Sequence, residues 1–275
     1  MEQADTRTSA AAAATATATA ATAAALPARQ RILSRVLADG LVVAVVLGWW
    51  AMAKALPANI LPTPLAVAEE VWLLFTDKIY LGHTAVSIVR VILSVTLALI
   101  IGGLIALWPL NHPWARAIVH ERIKPFFNSF PSIGWAILAV IWFRVSDFTA
   151  IFVQVAILIP FCLINISEGL KELDREALEM ARSYTRSRLK VFVKITIPLL
   201  LPYIVGALRI AYGVAWKIAL VSELFGTGSG IGYLMGEAQQ SAKPALLYAC
   251  CFAIVLIFFA GEKLVLDPLS RRVRR

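Results

Sequence analysis

The sequence contains few of the residue types from which catalytic and metal sites are built. Its three cysteines, Cys162, Cys250 and Cys251, lie inside apolar stretches, and its three histidines are scattered singly. No CxxC spacing is present, and none of the cysteines has a histidine beside it that could complete a zinc site. Because no Ser–His or paired-carboxylate arrangement is visible either, we do not expect an enzyme or a metalloprotein.

The sequence also lacks a phosphate-binding loop of the form G-x-x-x-x-G-K-[ST], so this chain is not expected to hold ATP itself. The stretch 226–232 is rich in glycine, but it does not fit G-x-G-x-x-G and no lysine follows it. We interpret it as a flexible external turn.

Charged residues are scarce, at 16% of the chain, whereas 60% of the residues are hydrophobic and the mean hydropathy is +0.77. A soluble domain is about a quarter charged. Because an unmade backbone hydrogen bond is costly in lipid, only helices and closed β-barrels span membranes. The apolar runs lack the alternation of polar and apolar residues that is typical of barrel strands. The expected fold class is therefore an all-α membrane protein.

Six apolar segments are long enough to cross a membrane, which takes about 20 residues each. They are Ala38–Leu56, Ala85–Trp108, Phe126–Phe143, Thr149–Ile166, Tyr203–Phe225 and Leu246–Leu266. Six spans place both termini on one side. If that side is cytoplasmic, 18 of the 26 Lys and Arg residues lie in cytoplasmic segments and Lys263 lies at the cytoplasmic end of the sixth span, in agreement with the positive-inside rule. The net charge of +9 then reflects topology and contact with anionic lipid, and we expect no nucleic acid partner.

The N-terminal residues differ in composition from the rest of the chain. Residues 1–30 are rich in alanine and threonine and have too little apolar bulk to build a core, so a disordered cytoplasmic tail is expected. Glu2 and Asp5 argue against a secretory signal. Residues 31–275 would form the membrane domain, with a short helix over 62–75 at the outer interface or packed as a linker.

The polar connection between the fourth and fifth spans, residues 168–198, is the most informative region. Apolar residues recur in it at three- and four-residue intervals, which predicts an amphipathic helix. They are Leu173, Ala177, Met180, Ala181 and Tyr184. Periodicity alone leaves open whether this helix lies solvated at the lipid surface or docks another protein.

This connection resembles the EAA loop of bacterial ABC importer permeases, which reads EAA, three residues, Gly, about nine residues and a hydrophobic-Pro pair. Here the pattern is Glu179-Met180-Ala181, three residues, Thr185, and finally Ile197-Pro198, so Met180 replaces an alanine and Thr185 the glycine. Further similar segments are 61–64, 131–135, 206–209, 215–216, 223–226 and 230–233. Over residues 31–275 the chain resembles the branch that serves sulfonates, taurine and nitrate.

The resemblance implies a type I (MetI-like) permease fold in the bacterial cytoplasmic membrane. It also implies a second permease copy, an external solute-binding protein, and two separate ATPase subunits that bind ATP and Mg. The loop residues that would contact the ATPase are Glu176, Ala177, Glu179, Met180, Ala181, Arg182, Tyr184, Thr185, Ser187 and Arg188.

Two cations, Arg209 and Lys217, lie inside the fifth span, where a charge is costly unless it avoids lipid. At 100° per residue they share a broad face that could line a path for a small anion. The remaining residues of this face are Tyr212, Gly213 and Trp216, and Asn165 and Gln154 of the fourth span are further polar candidates. Alternatively, Arg209 reaches the cytoplasmic interface and Lys217 pairs with a neighbouring helix.

A channel or ion-driven carrier that works without ATP is the alternative function that hydropathy leaves open. Such carriers usually have more spans and internal repeats, and no convincing repeat is visible here. The resemblance favours the importer.

Overall fold

The structure is a computed structural model that describes residues 28–112, 114–173, 180, 183, 185 and 187–273. In these ranges the regular structure is helical, with no strand. The chain divides into two units, Met1–Pro64 and Leu65–Arg275. The predicted tail, residues 1–30, lies almost entirely outside the described residues.

The first unit contains helix α1, Ala28–Ala55, whose exposed side chains from Leu41 to Leu47 are mostly large and apolar. After the helix the chain turns back, and Trp49 Nε1 donates a hydrogen bond to the carbonyl of Pro62 at 3.1 Å. The first predicted span lies within α1 except for its last residue.

The second unit is a bundle of helices. They are α2 (Pro64–Thr76), α3 (Lys78–Asn111), α4 (Ala115–Ser129), α5 (Ser132–Phe143), α6 (Asp147–Lys171), α7 (Leu189–Gly226), α8 (Ile231–Gln240) and α9 (Pro244–Val273). Asp77 caps α3 by accepting the Ile79 amide at 2.8 Å, and Ser146 caps α6. Helices α3, α6 and α7 pack against one another at the centre of this unit, and α8 packs against α7 and α9.

Small residues allow these helices to approach closely, as is common where lipid supplies no hydrophobic drive for association. A Cβ atom added to Gly102 of α3 would lie 2.8 Å from Cys162 Cβ of α6. Gly169 near the end of α6 is covered by the Tyr203 ring of α7 in the same way. Cys162 and Cys250 are buried packing residues, whereas Cys251 is exposed.

Four described helices, α3, α6, α7 and α9, are long and apolar enough to cross a membrane, in agreement with four of the six predicted spans. The third predicted span is not one straight helix. It bends by 84° between α4 and α5, because Phe130 precedes Pro131 and takes an extended conformation (ψ 124°). Counting that pair as one broken span gives five. The total of six and the side of the termini stay predictions.

Candidate functional site

A cavity of about 600 Å³ opens along the predicted polar face of α7. Its lining consists of Arg209, Ile210, Gly213, Val214, Trp216, Lys217 and Leu220 from α7 and Cys251, Ile254, Val255 and Phe258 from α9. Four of the five residues predicted to share a face therefore line one cavity. The fifth, Tyr212, lies beside it, stacked on Phe258 with ring centroids 5.6 Å apart.

Arg209 is not free to act as a positive charge in this cavity. Its Nε and Nη2 atoms donate to Glu262 Oε1 at 3.0 and 2.7 Å, and Nη2 also donates to Asp267 Oδ1 at 2.8 Å. Two carboxylates near the end of α9 thus surround one guanidinium group. Since the group of three side chains carries a net negative charge, Arg209 alone would not attract an anion.

Lys217 differs from Arg209 in having no ion pair within the part of the chain that the structure describes. Its side chain is exposed on the cavity. It lies nine residues before Gly226, the last residue of α7, which places it about 13 Å along the helix axis from that end. A cation at the centre of a membrane costs about 2.5–3.5 kcal/mol. Lys217 is therefore the candidate contact for a negatively charged solute.

The two amides of α6 have different surroundings. Asn165 Nδ2 donates to the Phe161 carbonyl of its own helix at 2.8 Å, and Asn165 does not line the cavity. Gln154 is fully buried, and its Nε2 atom donates to Ser222 Oγ of α7 at 3.3 Å. Gln154 thus joins two helices, which is the common role of an intramembrane amide.

A second polar centre, which the sequence analysis missed, is the Arg90 cluster, formed by Ser87 and Arg90 of α3, Asp147 of α6, Glu223 of α7 and Ser229. The side chains of Arg90 and Glu223 are only 3% and 1% exposed, so this ion pair is almost completely removed from solvent. Arg90 Nη1 donates to Glu223 Oε1 at 3.0 Å and to the Ser229 carbonyl at 2.8 Å. Arg90 Nη2 donates to Ser229 Oγ at 2.7 Å and to Asp147 Oδ1.

The other carboxylate oxygen of Glu223 holds the start of α8. Oε2 accepts a hydrogen bond from Ser87 Oγ at 2.7 Å and one from the Gly232 amide at 2.9 Å. The Ile231 amide donates to Ser87 Oγ at 2.8 Å, and the Gly230 amide donates to His83 Nδ1 at 3.0 Å. Side chains from α3 and α7 therefore bind amides at the start of α8 that have no partner within the helix.

The glycine-rich stretch 226–232 is consequently not the flexible turn that its composition suggested. Gly230 has φ +108°, a conformation open to glycine, and a Cβ atom there would lie 2.4 Å from the Glu223 carboxylate. Thr227 Oγ1 donates to the Glu223 carbonyl at 3.2 Å. The glycines thus give the backbone room to wrap around a buried carboxylate.

Most of the predicted ATPase-contacting residues lie outside the described residues, namely Glu176, Ala177, Glu179, Ala181, Arg182 and Tyr184. Among the others, Met180 is exposed and its carbonyl accepts Ser183 Oγ at 2.6 Å. Thr185 Oγ1 accepts the Ser187 amide at 3.3 Å, and Ser187 Oγ accepts the Lys190 amide at 3.4 Å. Ser187 thus caps the helical segment Arg188–Val191, which continues into α7. The docking role of the loop stays a prediction.

No group of three or more His, Cys, Asp or Glu side chains within the described ranges could hold a metal ion. The polar sites of the second unit include the cavity beside Lys217 and the Arg90 cluster, in which both carboxylate oxygens of Glu223 already accept hydrogen bonds from other groups of the chain.

Comparison with known proteins gives a consistent result. Residues 98–275 match the family described as "Binding-protein-dependent transport system inner membrane component". The chain is 30% identical to the putative aliphatic sulfonates transport permease protein SsuC of Escherichia coli (strain K12), over 78% of this chain and 81% of that protein. It is 27% identical to the taurine transport system permease protein TauC of the same organism, over 82% and 84%. The nitrate import permease protein NrtB of Leptolyngbya laminosa is 28% identical, over 84% and 87%.

Among solved structures, the fold is similar to that of a chain of the MetNI methionine ABC transporter, crystallised in an inward-facing conformation. The TM-score is 0.53 at 19% sequence identity, over 78% of this chain and 99% of that one. This similarity supports the MetI-like fold that the sequence analysis expected.

Proposed function

The chain belongs to the family of binding-protein-dependent transport system inner membrane components, and on that premise we propose that it forms the path by which a small anion crosses the membrane. Members of this family are permease subunits of ABC importers rather than enzymes. Family membership therefore decides against the channel or carrier that works without ATP. The chain is a multi-pass membrane protein, and we place it in the bacterial cytoplasmic membrane.

The observation that carries the anion proposal is Lys217, an intramembrane cation without an ion pair in the described chain, on a cavity of about 600 Å³. An uncompensated cation inside a membrane indicates a solute path or a partner. Relatives are named for sulfonates, taurine and nitrate, which all carry a negative group. We therefore propose a solute of that class, with Lys217 as its contact and Arg209 neutralised by its two carboxylates.

Transport would also require partner proteins that hydrolyse ATP and deliver the solute. Two ATPase subunits would bind ATP and Mg, and a solute-binding protein would deliver the solute from outside. The loop 168–198 joins α6 to α7, so an ATPase docked on it would displace both helices at one end. A second copy of the chain would complete the path, since closed symmetric dimers are the commonest oligomers.

Uptake by membrane vesicles that contain the assembled transporter tests the proposal. Radiolabelled taurine, an alkanesulfonate and nitrate are offered in parallel, together with their binding protein and ATP. Lys217→Met keeps an unbranched side chain that is one atom shorter but removes its charge, and we expect it to lower uptake of the transported anion at least tenfold. Lys54→Met, a matched change at an exposed lysine of α1, should leave uptake unchanged. Undiminished uptake by Lys217→Met would contradict the path assignment.

A further inference from the structure

The Arg90 cluster and the loop 168–198 lie at opposite ends of the same two helices. Asp147 is the first residue of α6, and Glu223 lies three residues before the end of α7. The loop joins the other ends of α6 and α7. With a rise of 1.5 Å per residue, the stretch of α6 from Asp147 to Glu168, where the loop begins, separates the loop from the cluster by about 32 Å.

The cluster connects these two helix ends to α3 through a single guanidinium group. Arg90 donates to Glu223 of α7, to Asp147 of α6 and to both the hydroxyl and the carbonyl oxygen of Ser229. Moving α7 away from α3 would separate Arg90 from Glu223 in a buried site, which costs far more than separating apolar surfaces. The ends of α3 and α7 are therefore constrained to move together, and the contact of Arg90 with the exposed Asp147 links the end of α6 to them.

Helix α8 belongs to the same unit. Its first amides are bound by His83, Ser87 and Glu223, which lie on α3 and α7. Ser222, the residue before Glu223 in α7, accepts another hydrogen bond from Gln154, seven residues into α6. The polar contacts between α6 and α7 thus extend about two helical turns from the start of α6.

We propose that the Arg90 cluster makes α3, α6, α7 and α8 one rigid unit that carries a displacement of the loop 168–198 to the opposite end of the bundle. This inference rests on the proposed function, because an ATPase docked on the loop supplies the displacement. Arg90 and Glu223 are then positioning residues. They need not contact the solute. Without them, the end of the bundle at the Arg90 cluster and α8 no longer follows a displacement of the loop 168–198.

Distances between spin labels on the two copies of the chain test this transmission in the complete transporter. One label replaces the exposed Leu199 near the start of α7, and the other replaces the exposed Gln240 at the end of α8. Each is placed in a protein with Cys251→Ser, because Cys251 is the exposed member of the three native cysteines. Each distance is measured without nucleotide and after trapping with ADP and vanadate.

In the unchanged protein we expect both label pairs to shift on trapping. In the double variant Arg90→Met/Glu223→Leu, which leaves neither charge unpaired, the Leu199 pair should shift as before while the Gln240 shift falls to less than half. Glu69→Gln, which changes an exposed carboxylate of α2, should retain both shifts.

A Gln240 shift of full size in the double variant would overturn the inference. A Leu199 pair that stays fixed in the unchanged protein would contradict the proposed coupling on which the inference depends. Because both distances come from the same transporter, a misfolded variant is recognised by the loss of the Leu199 shift. The single variant Asp147→Asn, at a side chain that is 75% exposed, should then give an intermediate Gln240 shift.

Discussion

Replacing Glu223 by leucine should lower the free energy of unfolding, because Arg90 then stays buried without its main partner. The variant removes a carboxylate that is 99% buried and leaves the guanidinium with one carboxylate, that of the largely exposed Asp147. Removing one member of a buried ion pair typically costs about 3–5 kcal/mol, because the other charge stays buried without a partner. Since Asp147 still offsets part of the charge of Arg90, we expect the lower end, about 3 kcal/mol. Arg90→Met should cost a similar amount by leaving Glu223 unpaired.

The double variant separates the ion pair from simple loss of packing. If the two single costs were additive, Arg90→Met/Glu223→Leu would lose about 6 kcal/mol. An apolar pair leaves no buried charge, so the remaining cost is the loss of acceptors for the Gly232 amide and for Ser87, about 2 kcal/mol. The expected interaction energy between the two positions is therefore about 4 kcal/mol.

Thermal unfolding of the four proteins in one detergent measures this cycle. At about 2–4 °C per kcal/mol, each single variant should unfold on the order of 10 °C below the unchanged protein, and the double variant at a higher temperature than either. Asp147→Asn serves as the control at the exposed edge of the cluster and should cost less than about 1 kcal/mol. A double variant whose loss equals the sum of the single losses would refute the argument that unpaired charge dominates.

The remaining predictions concern two glycines and the loop. Gly230→Ala should lower the unfolding temperature, since alanine is strained at φ +108° and its Cβ would overlap the Glu223 carboxylate, whereas Gly228→Ala has open space and should have no effect. Gly169→Ala should also destabilise, because its Cβ would lie 2.4 Å from an aromatic ring, while Gly206→Ala meets nothing within 4 Å and should be neutral or slightly stabilising. Unchanged melting of either clashing variant would contradict these assignments. Glu179→Lys should leave membrane insertion intact but abolish ATP-driven uptake in vesicles, and normal uptake would count against docking at the loop.

The long helices were predictable from sequence because their signal is local. Each of α3, α6, α7 and α9 contains an apolar run of spanning length, and such a run has few alternatives in a membrane. The bend before α5 had a local signal as well, in Pro131, but a window that averages hydropathy over about 20 residues does not register a single backbone constraint. Hydropathy therefore predicted a span from 126 to 143 where the chain turns by 84°.

The polar centres were only half predictable. The face shared by Arg209 and Lys217 follows from helical geometry within one segment, so four of its five residues do line one cavity. The partners of Arg209 lie more than 50 residues away, near the end of α9, and helical periodicity does not indicate contacts over that separation. The distance in sequence between Arg90 and Glu223 is larger still, at 133 residues.

The sequence of α3 nevertheless contains a signal for the Arg90 cluster. The signal arises because the polar side chains of a membrane helix face the protein interior, whereas those of a helix in water face the solvent. Polar residues recur there at His83, Ser87, Arg90 and Ser94, at intervals of four, three and four, which places them along one face. In water such a stripe would face the solvent. In lipid it must face the protein, and all four side chains are buried or half-buried while Val89 and Ile92 are exposed. A cation on the inward stripe of one span favours a carboxylate on another, and Glu223, the one acidic residue within the predicted fifth span, is a candidate partner together with Asp39 and Glu262 of the first and sixth predicted spans.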